Sequence, residues 1–395
     1  MKKRFLYSSI EPYFEDKNAI VITGMRQVGK TTLLKQIHDN LTDKVRLWFD
    51  FDNPFDQKIF EEVDYNNIYK KLSWMSDNKH SRLYVFIDEI QNYPEITKII
   101  KYLIDYFQVK FFVTGSSNFY LKNFFPESLS GRKFLYYLPP LSFQEFLYLR
   151  DDRELLIPKP KVWEEVIQSK NEIFYQKHKS DYQEYLEFGG FPEVVLTPSV
   201  ETKKNIIKNL LTSFFEKDIH LLTDLKDIRE LRDFILLLVP RVGSLLDVTK
   251  IANELNIHRA KAYHFLEFLQ GCFFLKLLPK FSKSVDRSVA GGRKVYFSDT
   301  GILNHIGMVT FGQILENTVI NQLSNLGNIS FYHSHSQSEI DVVFENKVAF
   351  EIKAKGTIYD LQKLDKRSLK LGTSSAYLIS NEWDDNPRIL PAMNI

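Results

Sequence analysis

Residues 24–31 read Gly-Met-Arg-Gln-Val-Gly-Lys-Thr and satisfy the phosphate-loop motif G-x-x-x-x-G-K-[ST]. The apolar run 19–22 predicts a buried strand before the loop, and residues 32–37 predict a helix with its apolar side chains on one side. In such a loop the glycines let the backbone curl so that its N–H groups point at a phosphate, and the helix adds its positive N-terminal end. The alternative is a chance match in a glycine-containing turn, but the flanking strand and helix are the context that the motif requires. The motif therefore predicts a nucleoside triphosphate site.

The residues of this loop have distinct predicted roles. The Lys30 ammonium reaches the β- and γ-phosphates, and the Thr31 hydroxyl holds Mg²⁺. The predicted ligands are therefore ATP and Mg²⁺. The predicted nucleotide contacts are Gly24, Arg26, Gln27, Val28, Gly29, Lys30, Thr31, Thr32 and, from a later strand, Asp88.

Length and composition restrict the class of protein. A chain of 395 residues predicts roughly two to three domains. With 52 basic and 50 acidic residues the net charge is +2, so any basic surface for nucleic acid must be local. The single cysteine, Cys272, lies in an apolar run, which excludes an internal disulfide framework and fits a buried thiol. No stretch is apolar enough to cross a bilayer, and no signal-peptide core follows Met1, so a cytoplasmic protein without a membrane partner is expected.

A second acidic motif follows a predicted buried strand. Residues 83–87 are apolar and run directly into Asp88 and Glu89, as in a Walker B strand. Asp88 is predicted to hold Mg²⁺, and Glu89 is predicted to orient and polarise the attacking water. The alternative is a helix cap and a first-turn acid, since a helix over 90–107 is also predicted. The phosphate loop upstream favours the catalytic interpretation.

Two further positions are candidates for γ-phosphate contacts. The strand 110–115 ends in small polar groups, and in ATPases of the additional-strand class such a strand lies between the Walker A and Walker B strands and senses the γ-phosphate. Thr114 and Ser116 are both candidates for this sensor. Arg132, in Ser-Gly-Arg, is a candidate arginine finger in cis or from a neighbouring subunit of a homo-oligomer. Its alternative is an ordinary surface arginine.

Six motifs occur in an order that resembles a large group of prokaryotic AAA-type ATPases with an uncharacterised C-terminal domain. The resemblance implies an α/β chain with a P-loop AAA-type parallel sheet, a helical lid, a winged helix and a C-terminal PD-(D/E)xK nuclease-like α/β domain. The domains implied are 1–148, 149–235, 236–298 and 299–395. The motifs are Gly-x-Arg-Gln-x-Gly-Lys-Thr-Thr-Leu-Leu, Phe-Ile-Asp-Glu-Ile-Gln, Thr-Gly-Ser-Ser, Ser-Gly-Arg, Pro-Leu-Ser-Phe-x-Glu-Phe-Leu and Gly-Gly-Phe-Pro-Glu-Val.

The middle of the chain predicts a lid followed by a helix-turn-helix. Apolar residues recur with a helical period over 206–222, as in a lid helix. Residues 247–269 read as helix, short turn, helix, with Tyr263 in the predicted apolar stripe. Arg259 and Lys261 then lie near the start of a recognition helix, where they are candidates to contact double-stranded DNA. Two wing strands are predicted at 273–278 and 294–297.

Charge supports this interpretation locally. Residues 241–300 contain ten Lys or Arg and five Asp or Glu, which is a local excess of +5. The alternative is a winged helix that contacts protein only.

Four C-terminal residues resemble the PD-(D/E)xK nuclease core. Glu316 lies in a predicted helix, Asp341 in a predicted strand, and Glu351 and Lys353 share one face of the next strand because they are two residues apart. The resemblance implies that Asp341 and Glu351 bind Mg²⁺, that Glu316 completes the metal shell, and that Lys353 orients water or stabilises phosphate charge. A solvated hairpin with alternating charges is the alternative.

Two functions are compatible with these patterns. The first is an ATPase that binds DNA through its winged helix and cleaves it at the C-terminal acids, which the presence of all four residues favours. The second is a nucleotide-switched signalling or scaffold ATPase whose nuclease-like domain only binds a partner or nucleic acid, which the weak overall charge favours. ATP hydrolysis is common to both.

Overall fold

The computed structural model describes residues 2–76, 82–115, 129, 131–150, 163–218, 225–282, 291–334 and 338–395. The chain divides into two compact units, the first formed mainly by residues 1–139 and the second by most of residues 140–395. No helix within these described ranges is long and apolar enough to cross a membrane.

The first unit is built on a five-stranded parallel sheet with the strand order β2-β3-β4-β1-β5. β4 lies between β1 and β3, which confirms the strand predicted between the Walker A and Walker B strands. The strands are β1 (Ala19–Thr23), β2 (Val45–Asp50), β3 (Leu83–Asp88), β4 (Lys110–Gly115) and β5 (Lys133–Tyr137).

The three central strands of this sheet are buried along their whole length, whereas the edge strands β2 and β5 are mostly half-buried. Continuous apolar runs suit strands that are covered on both faces. The helices of the unit are α1 (Phe5–Ile10), α2 (Lys30–Asn40), α3 (Pro54–Lys58), α4 (Tyr65–Met75) and α5 (Ile96–Phe107).

The prediction of a continuous helix over 90–107 is wrong for its first residues. A 3₁₀ turn spans Ile90–Asn92, and the α-helix begins only at Ile96. Pro94 lies between the two elements and has no N–H to donate within a continuous helix.

The second unit begins with a helical region. Its helices are α6 (Phe143–Arg150), α7 (Trp163–Gln168), α8 (Glu172–Phe188), α9 (Pro192–Leu196), α10 (Val200–Ser213) and α11 (Leu225–Leu238). The helix predicted over 206–222 corresponds to α10 and to the π-helical turn Phe214–Asp218 that follows it. Residues 219–222 lie outside the described residues.

Two short helices and a hairpin follow, in the order expected of a winged helix. These are α12 (Val248–Glu254), α13 (Arg259–Gly271), β6 (Leu275–Pro279) and the antiparallel β7 (Arg293–Phe297). Asn256, at φ +53°, forms the turn between the helices, and Phe273, at φ +59°, is too far from extended geometry to join β6 as predicted. Tyr263 was wrongly predicted in the apolar stripe: 43% of it is exposed, and the buried face of α13 holds Ala262, Phe265, Leu266, Phe268 and Leu269.

The C-terminal part is a five-stranded mixed sheet with the order β12-β11-β10-β9-β8. The strands β8, β9 and β10 are antiparallel, and β11 and β12 continue the sheet in parallel with β10. The strands are β8 (Ile329–His333), β9 (Glu339–Phe344), β10 (Val348–Lys353), β11 (Ser375–Ser380) and β12 (Ile389–Pro391), and the helices are α14 (Thr300–Ile306), α15 (Phe311–Leu326) and α16 (Ile358–Leu371).

Candidate functional sites

The phosphate loop connects β1 to α2, which begins at Lys30. Gly24 has φ +155° and Gly29 has φ +97°, and a Cβ on Gly24 would lie 2.3 Å from the Leu138 carbonyl oxygen. Both positions therefore require glycine. The buried Lys30 ammonium donates hydrogen bonds to the carbonyls of Gly24 at 3.0 Å and Met25 at 2.9 Å.

The remaining predicted loop contacts differ in exposure. Val28 is buried, so only its backbone can face a ligand, whereas Arg26 is half-buried and Gln27 and Thr32 are exposed. The buried Arg4, which sequence reasoning missed, donates from its guanidinium to the Val28 carbonyl at 2.7 Å and to the Pro139 carbonyl at 2.8 Å. No local motif marks Arg4, because its partners are distant in sequence.

The ends of α2, β3 and β4 meet at a chain of hydrogen bonds. The Thr31 hydroxyl donates to Asp88 Oδ2 at 2.6 Å, and the Thr114 hydroxyl donates to Asp88 Oδ1. The Glu89 N–H in turn donates to the Thr114 hydroxyl oxygen at 3.2 Å. Only 3% of Asp88 is exposed, so this carboxylate is held by two hydroxyls in a buried position. Ser116, the other sensor candidate, lies outside the described residues.

The Glu89 backbone adopts a left-handed conformation with φ +55° and ψ +48°. This conformation is uncommon for a residue other than glycine and turns the chain out of β3. The Gln91 side-chain amide donates to Glu89 Oε2. Sequence reasoning did not single out Gln91, although it follows Glu89 by only two residues.

The structure does not place Arg132 at the phosphate loop of its own chain. The Arg132 carbonyl accepts from the Ala19 N–H at 2.9 Å, at the start of β1, whereas the loop follows the end of β1. A strand of this length separates the two points by about 13 Å. The Arg132 Nε lies 2.5 Å from Asp105 Oδ1, and this hydrogen bond raises the pKa of the guanidinium. The cis arginine-finger prediction is therefore wrong.

Three of the C-terminal acids lie in one neighbourhood of the second unit. Asp341 on β9 is half-buried overall, but its carboxylate accepts from the Ile352 N–H of β10 at 2.8 Å. Burial first, and then the charges of Glu316 and Glu351, raise the pKa of Asp341 to about 7. The structure thus brings together the residues that the resemblance implied.

Lys353, the fourth member of the predicted core, pairs with Glu351. The Lys353 ammonium lies 3.0 Å from Glu351 Oε1, and the Arg367 guanidinium lies 2.8 Å from Glu351 Oε2. Arg367 lies on α16, and sequence reasoning missed it. Glu351 therefore has a cationic partner on each oxygen.

Lys294 and Tyr296 of β7 reach the same neighbourhood. The Tyr296 hydroxyl donates to Glu316 Oε1 at 2.7 Å. The Lys294 ammonium lies 3.6 Å from the same oxygen and 2.5 Å from Glu339 Oε1. Sequence reasoning placed Lys294 only in a wing strand.

A divalent metal does not fit the C-terminal acids as they are arranged. Within the described ranges, no group of three or more His, Cys, Asp or Glu side chains is placed to hold a metal ion. The carboxylates of Glu316, Asp341 and Glu351 instead have hydroxyl, N–H or cationic partners. The metal assignment of Asp341 and Glu351 is not supported by this geometry.

The two candidate DNA contacts on α13 differ. Lys261 is paired with Asp227 and Glu230 of α11. Burial lowers the pKa of Lys261, but its hydrogen bonds to these two acids outweigh the burial and raise the pKa. The exposed Arg259 donates to the Tyr263 hydroxyl at 3.1 Å.

A known protein family matches the sequence of the first unit, in agreement with its phosphate loop and parallel sheet. Residues 16–147 match the family model described as "AAA domain". Together with the phosphate loop and the parallel sheet, this match supports an AAA-type P-loop ATPase that binds and hydrolyses ATP. Residues 179–312 and 311–395 match two families, DUF8612 and DUF4143, that are each described as a domain of unknown function.

The chain is also similar to several whole proteins. A protein of Methanocaldococcus jannaschii described as uncharacterized is 28% identical over 368 residues, which cover 88% of this chain and 76% of that protein. A protein of Haemophilus influenzae, described in the same way, is 27% identical over 362 residues, covering 86% and 84%. The structure of the Walker-type ATPase PABY2304 of Pyrococcus abyssi covers 76% of this chain and 94% of its own, with 15% identity and a TM-score of 0.43.

Proposed function

We propose that the first unit hydrolyses ATP at the phosphate loop. The observation that carries this proposal is the hydrogen-bonded chain from Thr31 through Asp88 and Thr114 to the Glu89 N–H. It joins the residue types for binding, metal coordination, γ-phosphate sensing and water activation at one edge of the sheet. Ligands of open α/β sheets bind beyond the carboxyl ends of the strands.

Each residue of the site has a role in this proposal. Lys30 exchanges the carbonyls of Gly24 and Met25 for the β- and γ-phosphate oxygens. The Thr31 hydroxyl and the Asp88 carboxylate are the hard oxygen donors that Mg²⁺ prefers, and they lie 2.6 Å apart. When bound, Mg²⁺ would neutralise charge on the phosphates. Glu89 orients the attacking water and accepts its proton, and Thr114 contacts the γ-phosphate.

Two substitutions test this assignment. Lys30→Ala is expected to abolish ATP binding, with Lys35→Ala on the exposed face of α2 as the matched control. Glu89→Gln is expected to bind ATP normally and to lose turnover, with the exposed Glu95→Gln as its control. Binding is measured with a fluorescent ATP analogue and turnover by phosphate release. Normal turnover by Glu89→Gln would refute the general-base role.

We infer, as a second function, that the second unit binds double-stranded DNA without cleaving it. The basic excess over 241–300 and the exposed Arg259 at the start of α13 support DNA contact. The cations from outside the motif oppose cleavage, because Lys294 and Arg367 already compensate carboxylates that a nuclease would offer to a divalent ion. The proposed DNA contact thus lies around α13, and the C-terminal acids take no part in cleavage, as in the nucleotide-switched alternative.

The alternative, an ATPase with Mg²⁺-dependent nuclease activity, predicts a different result in one assay. Plasmid and linear DNA are incubated with the protein in Mg²⁺ or Mn²⁺, with and without ATP. Binding in a mobility-shift assay without cleavage supports the second function. Cleavage that is lost in Asp341→Ala would establish the nuclease instead.

A further inference from the structure

Lys294 is a buried lysine whose charge faces the C-terminal carboxylates. Only 3% of its side chain is exposed, and it lies on the same face of β7 as Tyr296, two residues later. Its ammonium lies 2.5 Å from Glu339 Oε1 and 3.6 Å from Glu316 Oε1. A strand that precedes the C-terminal sheet in sequence therefore supplies a cation to the acids of α15 and β9.

The charge of this lysine is compensated by acids on two elements. Glu339 on β9 and Glu316 on α15 lie 2.5 Å and 3.6 Å from the ammonium. A buried ammonium is costly unless acids compensate it, and removal of one partner of such a pair leaves a charge without compensation. Loss of either Lys294 or these acids would therefore leave an uncompensated charge.

The surrounding charges are nearly balanced. Four carboxylates of this neighbourhood, Glu316, Glu339, Asp341 and Glu351, face three cationic side chains, Lys294, Lys353 and Arg367. Divalent ions bind through several oxygen ligands, and an ammonium beside those oxygens competes with such an ion for their negative charge. Here Glu316 Oε1 already accepts from the Tyr296 hydroxyl and faces Lys294.

We propose that the Lys294 ammonium occupies the position that a divalent cation would take in a PD-(D/E)xK site, so that the acids bind no Mg²⁺ or Mn²⁺ while Lys294 is in place. Lys294 is a positioning residue in this proposal, since it fixes Glu316 and Glu339 without any role in bond cleavage. The inference deepens the proposal that the second unit binds DNA without cutting it, and it concerns metal binding alone.

The experiment measures Mn²⁺ binding to the full chain by electron paramagnetic resonance, without ATP or DNA. An Asp88→Ala background removes the proposed metal ligand of the nucleotide site, and the compared proteins carry Lys294, Lys294→Met or Lys294→Arg. The Lys294→Met protein is expected to bind one Mn²⁺ at least about tenfold more tightly than the other two, which is about 1.4 kcal/mol of binding free energy. Adding Asp341→Ala is expected to abolish that gain.

Two binding results would overturn the proposal. One is Mn²⁺ binding of equal strength with Lys294 and with Lys294→Met at a site that Asp341→Ala removes. The other is a folded Lys294→Met protein that gains no Mn²⁺ site. Because the assay contains no DNA, neither result depends on whether the second unit binds DNA.

A melting measurement covers the case in which Lys294→Met folds poorly. A cation that binds only the folded state raises the melting temperature. Mn²⁺ is therefore expected to raise the melting temperature of Lys294→Met and of the polar variant Lys294→Gln more than that of the parent protein. Equal or smaller shifts in both variants contradict the proposal.

Discussion

At the scale of single residues, Thr114 connects Asp88 and Glu89, the carboxylates that we propose to bind Mg²⁺ and to activate water. Its hydroxyl donates to Asp88 and accepts from the Glu89 N–H, and the side chain is fully buried. Thr114→Val removes both hydrogen bonds with little change of shape. Hydrogen bonds to charged groups contribute about 1.5–3 kcal/mol, so kcat for ATP hydrolysis is expected to fall about 10- to 100-fold while ATP binding persists.

A buried threonine elsewhere in the same unit provides the control for this prediction. Thr97 is buried on α5, and its hydroxyl donates to the Pro94 carbonyl at 3.3 Å. Thr97→Val is expected to leave kcat unchanged. Equal turnover by the two variants would show that Thr114 has a packing role only.

Asp299 makes the stability of the second unit depend on pH. Its buried carboxylate accepts from the Ile302 N–H at 3.1 Å and from the Gly190 N–H at 2.7 Å, and burial raises its pKa to about 6. Because the ordinary pKa of aspartate is about 3.9, the folded state binds more protons between pH 4 and 6. The protonated Asp299 therefore contributes its full stabilisation of the folded state below about pH 4, and this contribution is lost as the pH rises through 6.

Comparison with Asp299→Asn isolates this effect. The melting temperature of the wild type minus that of Asp299→Asn is expected to fall as the pH rises from 4 to 7, by an amount that corresponds to about 2–3 kcal/mol. Other titrating groups are common to both proteins and cancel. A difference that does not vary with pH would refute the assignment.

At the scale of elements, the Gly-Gly-Phe-Pro-Glu-Val motif has a packing explanation. Gly189 ends α8 with φ +76°, and a Cβ there would lie 2.2 Å from Asp299 Oδ1. Gly131 has a similar φ of +72°, but a Cβ there would meet no atom within 4 Å. Gly189 also has ψ −162°, a backbone region that is almost exclusive to glycine, so an alanine there meets both backbone strain and steric overlap.

This pair supports a prediction for the unfolding midpoints in urea. Gly131→Ala is expected to cost about 1–2 kcal/mol, the ordinary penalty for a left-handed alanine. Gly189→Ala adds a rarer backbone conformation and the overlap with Asp299, and its cost is expected to exceed that of Gly131→Ala by about 1–3 kcal/mol. Equal losses would contradict both added costs.

The two basic residues near the start of α13 are expected to contribute differently to DNA binding. Lys261 is neutralised by Asp227 and Glu230, whereas Arg259 is exposed. Arg259→Ala is expected to reduce the slope of log K against log[salt] for DNA binding by about 0.9, the value for one phosphate contact. Lys261→Ala is expected to leave the slope unchanged, although sequence alone predicted equal contributions. A loss of about 2 in the double variant would show that DNA displaces the two acids.

At the scale of the whole molecule, what could be predicted from sequence depended on the distance along the chain. Lys30 and Thr31 follow from a local motif, and Asp88 and Glu89 from the strand that precedes them. Lys294 could not be predicted, because its partner Glu339 is 45 residues away and β7 must first be placed beside α15 and β9. The same limit applies to Arg4, whose partners Val28 and Pro139 are 24 and 135 residues away, and to Arg367, whose partner Glu351 lies on another element.

Arg132 also bears on whether copies of the chain act together. The position of Arg132 at the start of β5 rules out a cis arginine finger, so any contact of its guanidinium with a γ-phosphate must come from a second copy of the chain. Lys30→Ala retains Arg132 but lacks a nucleotide site, and Arg132→Ala retains the nucleotide site but lacks the arginine. If Arg132 acts in trans, a mixed oligomer combines the intact nucleotide site of the Arg132→Ala chain with the intact Arg132 of the Lys30→Ala chain.

Mixing the two inactive variants is therefore expected to restore ATPase activity as the total protein concentration rises. With random pairing of equal amounts in a dimer, about half of the oligomers contain one chain of each type, and each of these has one complete site. Asp105→Ala, which removes the carboxylate partner of Arg132, is the control and is expected to stay active. A mixture no more active than its components would return Arg132 to a structural role at the start of β5, because pairing with Asp105 would then account for its position.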